Sequence, residues 1–362
     1  MKSSLKVLLA SPSYKAFRAW GVPRKLPFNL TVLISTKCNS RCKTCNIWKQ
    51  KHSDLEIKEW KKILKSIDQS PFWVTVSGGE PFLQPHITEL VKVIYEICQP
   101  AMINIPTNSL LAEKIYKDVE KILKDCPKTK LVINLSLDGV DEKHDQIRGI
   151  KLNFQRVLKN YHNLKRLQKK YPNLTIGIHS VVSRFNVKHL PELIDFAYSL
   201  KPDQYITEIA EERIELDTMG MKITPKYKDY AEAIDYLISK MKQEKLTGLG
   251  RITRAFRLEY YEFVKDWLKG KSLKLSDYAG WASAEITSWG EVWPSCIKGI
   301  NLGNLRDNNY DFKKIWFGEK AKEFRKKFKN KPESFPLANA FYSNAITNYS
   351  LLTKVLLQLT KL

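Results

Sequence analysis

Cys38, Cys42 and Cys45 stand at C-x3-C-x2-C spacing in the stretch KCNSRCKTCNIW (residues 37–48), three of six cysteines within eight positions. A closed tetrahedral metal site takes four protein ligands, disulfides take pairs, and a nucleophilic thiol acts alone. Three thiols this close fit a metal centre with one coordination position left open. Two centres match. One is a [4Fe–4S] cluster with thiolates on three of its irons. The other is a zinc ion whose fourth ligand is distant in sequence, with His52 or Cys98 as candidates.

A second motif, SGGEP (77–81), follows one strand–helix unit later. Paired glycines permit close backbone approach, and the Glu80 carboxylate can accept hydrogen bonds from an ammonium group. Alone this is a tight turn; next to a three-cysteine loop it becomes specific.

The elements that must position these motifs alternate regularly. FNLTVLIS (28–35), FWVTVSGGEP, AMINIPTN, KLVINLSLDG, LTIGIHSVVS and QYITEIAE read as strands, apolar on both faces. Amphipathic helical runs lie between them, and SDLEIKEWKKILKSI carries a capping box expected at Ser53 and Glu56. Strands alternating with helices imply a parallel sheet covered by helices. About six units end near residue 215, short of the roughly 250 residues of a closed eight-fold barrel. The fold expected is α/β, a partial (β/α)6 TIM-like barrel with a small C-terminal α+β extension. Chemistry in such folds gathers in the loops after the strands. The cysteine trio, SGGEP, PTNS (106–109) and SLDG (136–139) all fall there.

Together the cysteine loop and Gly78-Gly79-Glu80-Pro81 resemble the radical S-adenosylmethionine (SAM) enzymes, a likeness extending over residues 28 to about 215. The resemblance implies one [4Fe–4S] cluster on Cys38, Cys42 and Cys45, its open iron chelating SAM. It implies SAM cleavage to a 5′-deoxyadenosyl radical that abstracts hydrogen from a substrate. By the same likeness Gly78, Gly79 and Glu80 hold the SAM amino group. Asn108, Ser136 and Asp138 contact ribose and carboxylate. Arg148, in HDQIRG, pairs either with the SAM carboxylate or in a structural ion pair at a helix start. Val182, in HSVVS, lies against adenine or in the core. Thr44 stands where an aromatic residue is common, and Ser109 replaces a frequent glycine. Lys37 and Arg41 flank the loop, either raising the cluster's potential or simply facing solvent.

Residues 284–316 resemble the start of the SPASM or twitch extension, which carries auxiliary clusters. Cys296 is the only cysteine after Cys126, and one thiolate cannot hold a cluster. An SPASM-like scaffold without an auxiliary cluster is expected. The expected organisation is a basic N-terminal segment broken by Pro12 (1–27), the barrel (28–215) and a helical linker (216–280). The extension (281–340) and an amphipathic C-terminal helix (341–362) follow.

The net charge of +23, from 61 Lys and Arg against 38 Asp and Glu, suits anionic partners. The densest basic run, 313–331, is either a solvated face or a seat for such a partner. No export signal or spanning segment is expected, so the protein reads as cytoplasmic. The terminal helix, with Leu5, Leu8, Phe17 and Trp20, either packs on the barrel or contacts an acidic membrane surface. A reductant such as ferredoxin or flavodoxin is implied. The resemblance to SPASM-bearing enzymes implies a peptide substrate, and the basic surface and apolar ends make a lipid or isoprenoid its rival. Nucleic acid is weaker, since no RNA-binding module follows the barrel. The rival from another class is a zinc-stabilised binding protein without catalysis.

Overall fold

The computed structural model describes residues 4–244, 249–271, 275–297, 299–330 and 336–361. Its core is one sheet of eight strands in the order β6-β5-β4-β3-β2-β1-β7-β8. The first six are β1 (Asn29–Leu33), β2 (Trp73–Ser77), β3 (Met102–Thr107), β4 (Lys130–Ser136), β5 (Leu174–Val182) and β6 (Gln204–Ile209). Each pairs in parallel with its sequence neighbour, so all six C-terminal ends face one rim. The sheet stays open at β6, as an incomplete barrel requires.

The helices that cover it are α1 (Ser4–Trp20), α2 (Ile57–Ile67), α3 (Ile87–Cys98), α4 (Ala112–Asp125), α5 (Glu142–Arg148), α6 (Asn153–Gln168) and α7 (Leu190–Ser199). In α2 the residues Trp60, Ile63, Leu64 and Ile67 repeat at helical spacing and are fully buried against the sheet. Its capping box is formed by Glu56 and Glu59, not Ser53 and Glu56: the Glu56 N–H donates to Glu59 Oε2 at 2.7 Å. The helix simply starts later than the sequence signal suggests.

Pro12 does not break the N-terminal segment; α1 runs through it. Tyr14 and Phe17 are buried, and the Ser11 hydroxyl donates to the Ile346 carbonyl at 3.0 Å. Packing against the C-terminal region outweighs the local cost of an interior proline.

After β6 come α8 (Tyr227–Gln243) and α9 (Leu249–Leu268), then β7 (Ser283–Ile286) and β8 (Val292–Trp293). The short strand β7 pairs in parallel with β1, placing Glu285 beside Thr31, so the extension continues the barrel sheet. This pairing leaves no trace in the local sequence pattern. The remainder is α10 (Phe312–Trp316), α11 (Glu319–Phe328), α12 (Ala338–Ile346) and α13 (Tyr349–Lys361). Helix α13 lies on α9, with Val355 buried and Gln358 donating to Glu259 at 3.2 Å. Leu356 and Leu357 face outward. Nothing is described for Leu362 or for the side chains of Leu5 and Leu8. No described helix is long and apolar enough to cross a membrane.

Candidate active site

The C-terminal ends of the six barrel strands, or the loops just beyond them, line one open cavity of about 880 Å³ counted together with its solvent-filled mouth. Cys38, Cys42 and Cys45 line it together, with Gly78, Gly79, Glu80, Asn108, Ser136 and Arg148. The candidate zinc ligands do not join them. His52 stacks on Trp289 with ring centroids 3.7 Å apart, and Cys98 is fully buried at the end of α3. Three thiols therefore face the cavity without His52 or Cys98 as a fourth ligand.

The glycine pair makes its close approach to the cysteine loop itself. Gly79 N–H donates to the Ser35 carbonyl at 2.8 Å and Glu80 N–H to the Lys37 carbonyl at 2.9 Å. A Cβ on Gly78 would sit 2.3 Å from Ser35 O, and one on Gly79 2.2 Å from Lys37 O. Only bare backbone fits between the two loops.

Glu80 is 2% exposed and is held by three protein donors. Thr107 donates its hydroxyl to Oε1 at 2.8 Å, Phe82 its N–H at 3.2 Å, and Asn108 its N–H to Oε2 at 2.7 Å. Burial pushes this carboxyl up, and those donors oppose the shift. Glu80 thereby pins the end of β3 to the glycine turn and sets Asn108, whose amide donates to Asn39 Oδ1 at 2.8 Å. Ser109 next to it takes a left-handed φ of 66°, which explains why glycine suits that position.

Asp138 is buried behind the wall, not on it, and Arg148 sits in the last turn of α5, not at a helix start. Arg148 Nη1 donates to Asp138 Oδ2 at 3.0 Å, while its buried Nε has no hydrogen-bond partner. Asp138 Oδ1 accepts from Val181 N–H at 2.8 Å. Its own N–H donates to His144 Nδ1 at 3.1 Å, leaving His144 Nε2 to donate to Asn153 Oδ1 at 3.2 Å. Burial, and then the Arg148 charge, push His144 down to about 4, so the ring is neutral. Val182 is fully buried in the core; alternation along β5 puts Val181 on the cavity wall instead.

Burial pushes all three thiols up, Cys45 to about 12, and Arg148 opposes the shift at Cys38 and Cys42. Three half-buried thiols beside a cation are a donor set for a metal centre, which takes thiolates outright. The unpartnered Arg148 Nε adds a buried donor on the same wall. The residues present thus fit a [4Fe–4S] cluster with an anionic ligand beside it.

The far wall was missed by sequence reasoning. His179, Glu208, Glu211 and Arg213 line it from β5, β6 and the loop beyond. Arg213 Nη2 stands 3.0 Å from Glu211 Oε1 and 3.8 Å from Glu208 Oε2. Burial raises Glu211 to about 7, against the pull of Arg213. The signal was available: the charged run EERIE directly follows a buried parallel strand, where side chains meet the site.

A family model for the radical SAM superfamily matches residues 32–197. Residues 32–197 thus form a radical SAM domain. A radical SAM domain carries a [4Fe–4S] cluster and SAM as its cofactors. A second model, for the SPASM iron–sulfur cluster-binding domain, matches residues 278–336, a stretch whose one cysteine is Cys296. Fe-coproporphyrin III synthase of Methanosarcina barkeri is 26% identical over 167 residues, 45% of this chain and 39% of that protein. GTP 3′,8-cyclase of Aliarcobacter butzleri is 25% identical over 185 residues, 49% and 54% of the two chains. The chain thus spans about half or less of these relatives. Streptococcus suis SuiB bound to SAM aligns with a TM-score of 0.61 at 19% identity, over 88% of this chain and 72% of SuiB. SuiB bound to its precursor peptide SuiA gives 0.59 at 18%, over 90% and 72%. Both likenesses concern the fold, barrel and extension together.

Proposed function

We propose that this radical SAM protein abstracts hydrogen from a peptide that presents a polar group to the far wall of the cavity. Cys38, Cys42 and Cys45 would hold the one cluster of the chain, with Cys296 holding none. The backbone of Gly78 and Gly79, positioned by Glu80, would meet the SAM amino group. Arg148, through its unpartnered Nε, would meet the SAM carboxylate, and Asn108 and Ser136 its ribose. Asp138 acts through Arg148, and Val181 is the better candidate than Val182 for an apolar contact with adenine. The cofactors supply, when bound, the 5′-deoxyadenosyl radical that takes the hydrogen atom. A ferredoxin or flavodoxin would deliver the electron.

The observation that carries the substrate class is the far wall. A lipid or isoprenoid chain there would leave Glu208, Glu211, Arg213 and His179 facing hydrocarbon, at a cost of several kcal/mol. A triphosphate would meet two carboxylates against one guanidinium. A peptide backbone or a cationic side chain suits both groups. SuiB, which shares the fold, has been captured with a precursor peptide.

Anaerobic reconstitution with iron and sulfide, then dithionite and SAM, is expected to release 5′-deoxyadenosine from the native chain and none from Cys42→Ala. Stoichiometric zinc without SAM cleavage would overturn the enzyme reading. Deuterated peptide libraries test the substrate: deuterium should pass into 5′-deoxyadenosine, and Glu211→Gln should raise KM more than it lowers kcat. Label transfer from deuterated lipid vesicles, and none from peptides, would reverse the choice.

A further inference from the structure

Behind the far wall lies a second cluster that the radical chemistry leaves unused. Glu215, on the loop after β6, Glu285 of β7 and Cys296, after β8, are all buried. One ligand atom from each lies within 4.8 Å of the others. The segments are fixed together: Glu215 N–H donates to the Cys296 carbonyl and Ile214 N–H to the Ile297 carbonyl, both at 3.3 Å. Glu285 is 3% exposed, and its Oε1 has no hydrogen-bond partner.

The local charge does not balance. The nearest guanidinium, Arg213, is engaged on Glu211 and Glu208. Among the described residues, neither Glu215 nor Glu285 has a cation within 4.0 Å. Two adjacent buried carboxyls and a thiol without a counter-charge must either keep their protons or bind a cation. Burial pushes all three groups up, and Arg213 only partly opposes it.

We propose that Glu215, Glu285 and Cys296 form a mononuclear site for a divalent transition cation, of which Zn2+ is the best match. Thiolate with carboxylate oxygens is a donor set that zinc accepts, and three protein ligands leave a fourth position for water. Ligand atoms about 2.0–2.3 Å from zinc stand roughly 3.5 Å apart in a tetrahedron, so side-chain shifts of about 1 Å close the site. The ion would clamp the extension onto the open side of the barrel, directly behind Arg213 and Glu211. One cysteine suffices for it, where an auxiliary iron–sulfur cluster would need more.

The test uses cluster-reconstituted, EDTA-dialysed full-length protein equilibrated with ZnCl2. About one zinc per chain should resist dialysis and raise the melting temperature in a concentration-dependent way. Zinc-edge absorption spectroscopy should show one sulfur at about 2.3 Å with oxygen neighbours. Cys296→Ser and the isosteric Glu285→Gln should each weaken zinc binding more than tenfold, since even outer-shell partners are worth 10–100-fold. Should Cys296→Ser fold poorly, Glu285→Gln and the native melting curves still decide. The proposal is overturned by no retained zinc, by retention unchanged in either variant, or by a three-sulfur zinc environment, which marks the Cys38–Cys45 loop. Acid-labile sulfide beyond that of one cluster would also sink it, by placing an auxiliary cluster at Cys296.

Discussion

Arg148 Nη1 lies 3.0 Å from Asp138 Oδ2, joining the end of α5 to the loop after β4 directly beneath the cysteine trio. The same helix end receives the trio's backbone: Arg41 N–H donates to the Arg148 carbonyl at 3.0 Å and Lys43 N–H to that of Ile147 at 2.9 Å. One short helix therefore positions both the thiols and the buried cation beside them. Removing either charge leaves the other buried and alone, which typically costs about 3–5 kcal/mol, whereas removing both costs much less. Arg148→Gln and Asp138→Asn should each lower the unfolding free energy by that order. The double variant should recover more than half of the loss in a denaturant-unfolding cycle. Additive losses would show that the pair is not coupled. Arg148→Gln should also shift the cluster's reduction potential to a more negative value, since a positive charge has left its surroundings.

Gly79→Ala should disrupt the cysteine loop more than the barrel. Its Cβ would meet the Lys37 carbonyl, a backbone atom that cannot rotate away. The expected outcome is a chain of native secondary structure that retains less than half of the native iron after reconstitution. Full iron loading in Gly79→Ala would mean that the two loops separate easily.

Glu59 ties α2 to the extension, and this tie should be acid-labile. Arg306 Nε donates to Glu59 Oε1 at 2.9 Å, Nη2 to Oε2 at 3.2 Å, and the Tyr310 hydroxyl to Oε1 at 3.0 Å. Burial alone would raise this carboxyl, but those donors hold it at about 2, below its ordinary 4.5. The folded state thus prefers the ionised form. Its contribution is fully present above about pH 4.5 and is lost as pH falls toward 2. Glu59→Gln should cost roughly 1.5–3 kcal/mol at pH 7, the scale of hydrogen bonds to a charged group. The difference from the native chain should shrink on acidification; a gap that stays constant down to pH 3 would refute the assignment.

What the sequence disclosed and what it hid divide along a physical line. The six strands and the trio were legible because apolar runs and tight cysteine spacing are local signals. So were SGGEP and SLDG, which fall at strand ends that a parallel sheet must bring to one rim. The parallel pairing of β7 with β1 was not legible, because four residues carry no period and the contact spans the whole barrel. Nor was the role of Glu80, whose three donors come from two separate loops. Pro12 misled because its local cost is overruled by packing more than 300 residues away, at Ile346. Of the two readings of Val182 the structure shows the core one, and its neighbour Val181, on the opposite face of the strand, lines the cavity.

Helix α13 poses the remaining choice between packing and a membrane surface. Its inner face is held to α9: Val355 is buried, and Arg251 Nη2 donates to the Leu359 carbonyl at 2.6 Å. Leu356 and Leu357, at 61% and 56% exposure, point away from that contact. The two faces make separable predictions. Val355→Asp buries an unpaired charge and should cost about 3 kcal/mol, read as a lower melting temperature. Leu356→Glu with Leu357→Glu should leave stability within about 0.5 kcal/mol, as substitutions on a solvent face do. If the outer face touches an acidic leaflet, the same double variant should abolish flotation with phosphatidylserine vesicles that carry the native chain. Deleting residues 346–362 would mix the two effects, because it uncovers α9 and removes Val355 together with the leucines. The point variants are therefore the decisive comparison: vesicle binding unchanged in the double variant would leave packing against α9 as the whole role of α13.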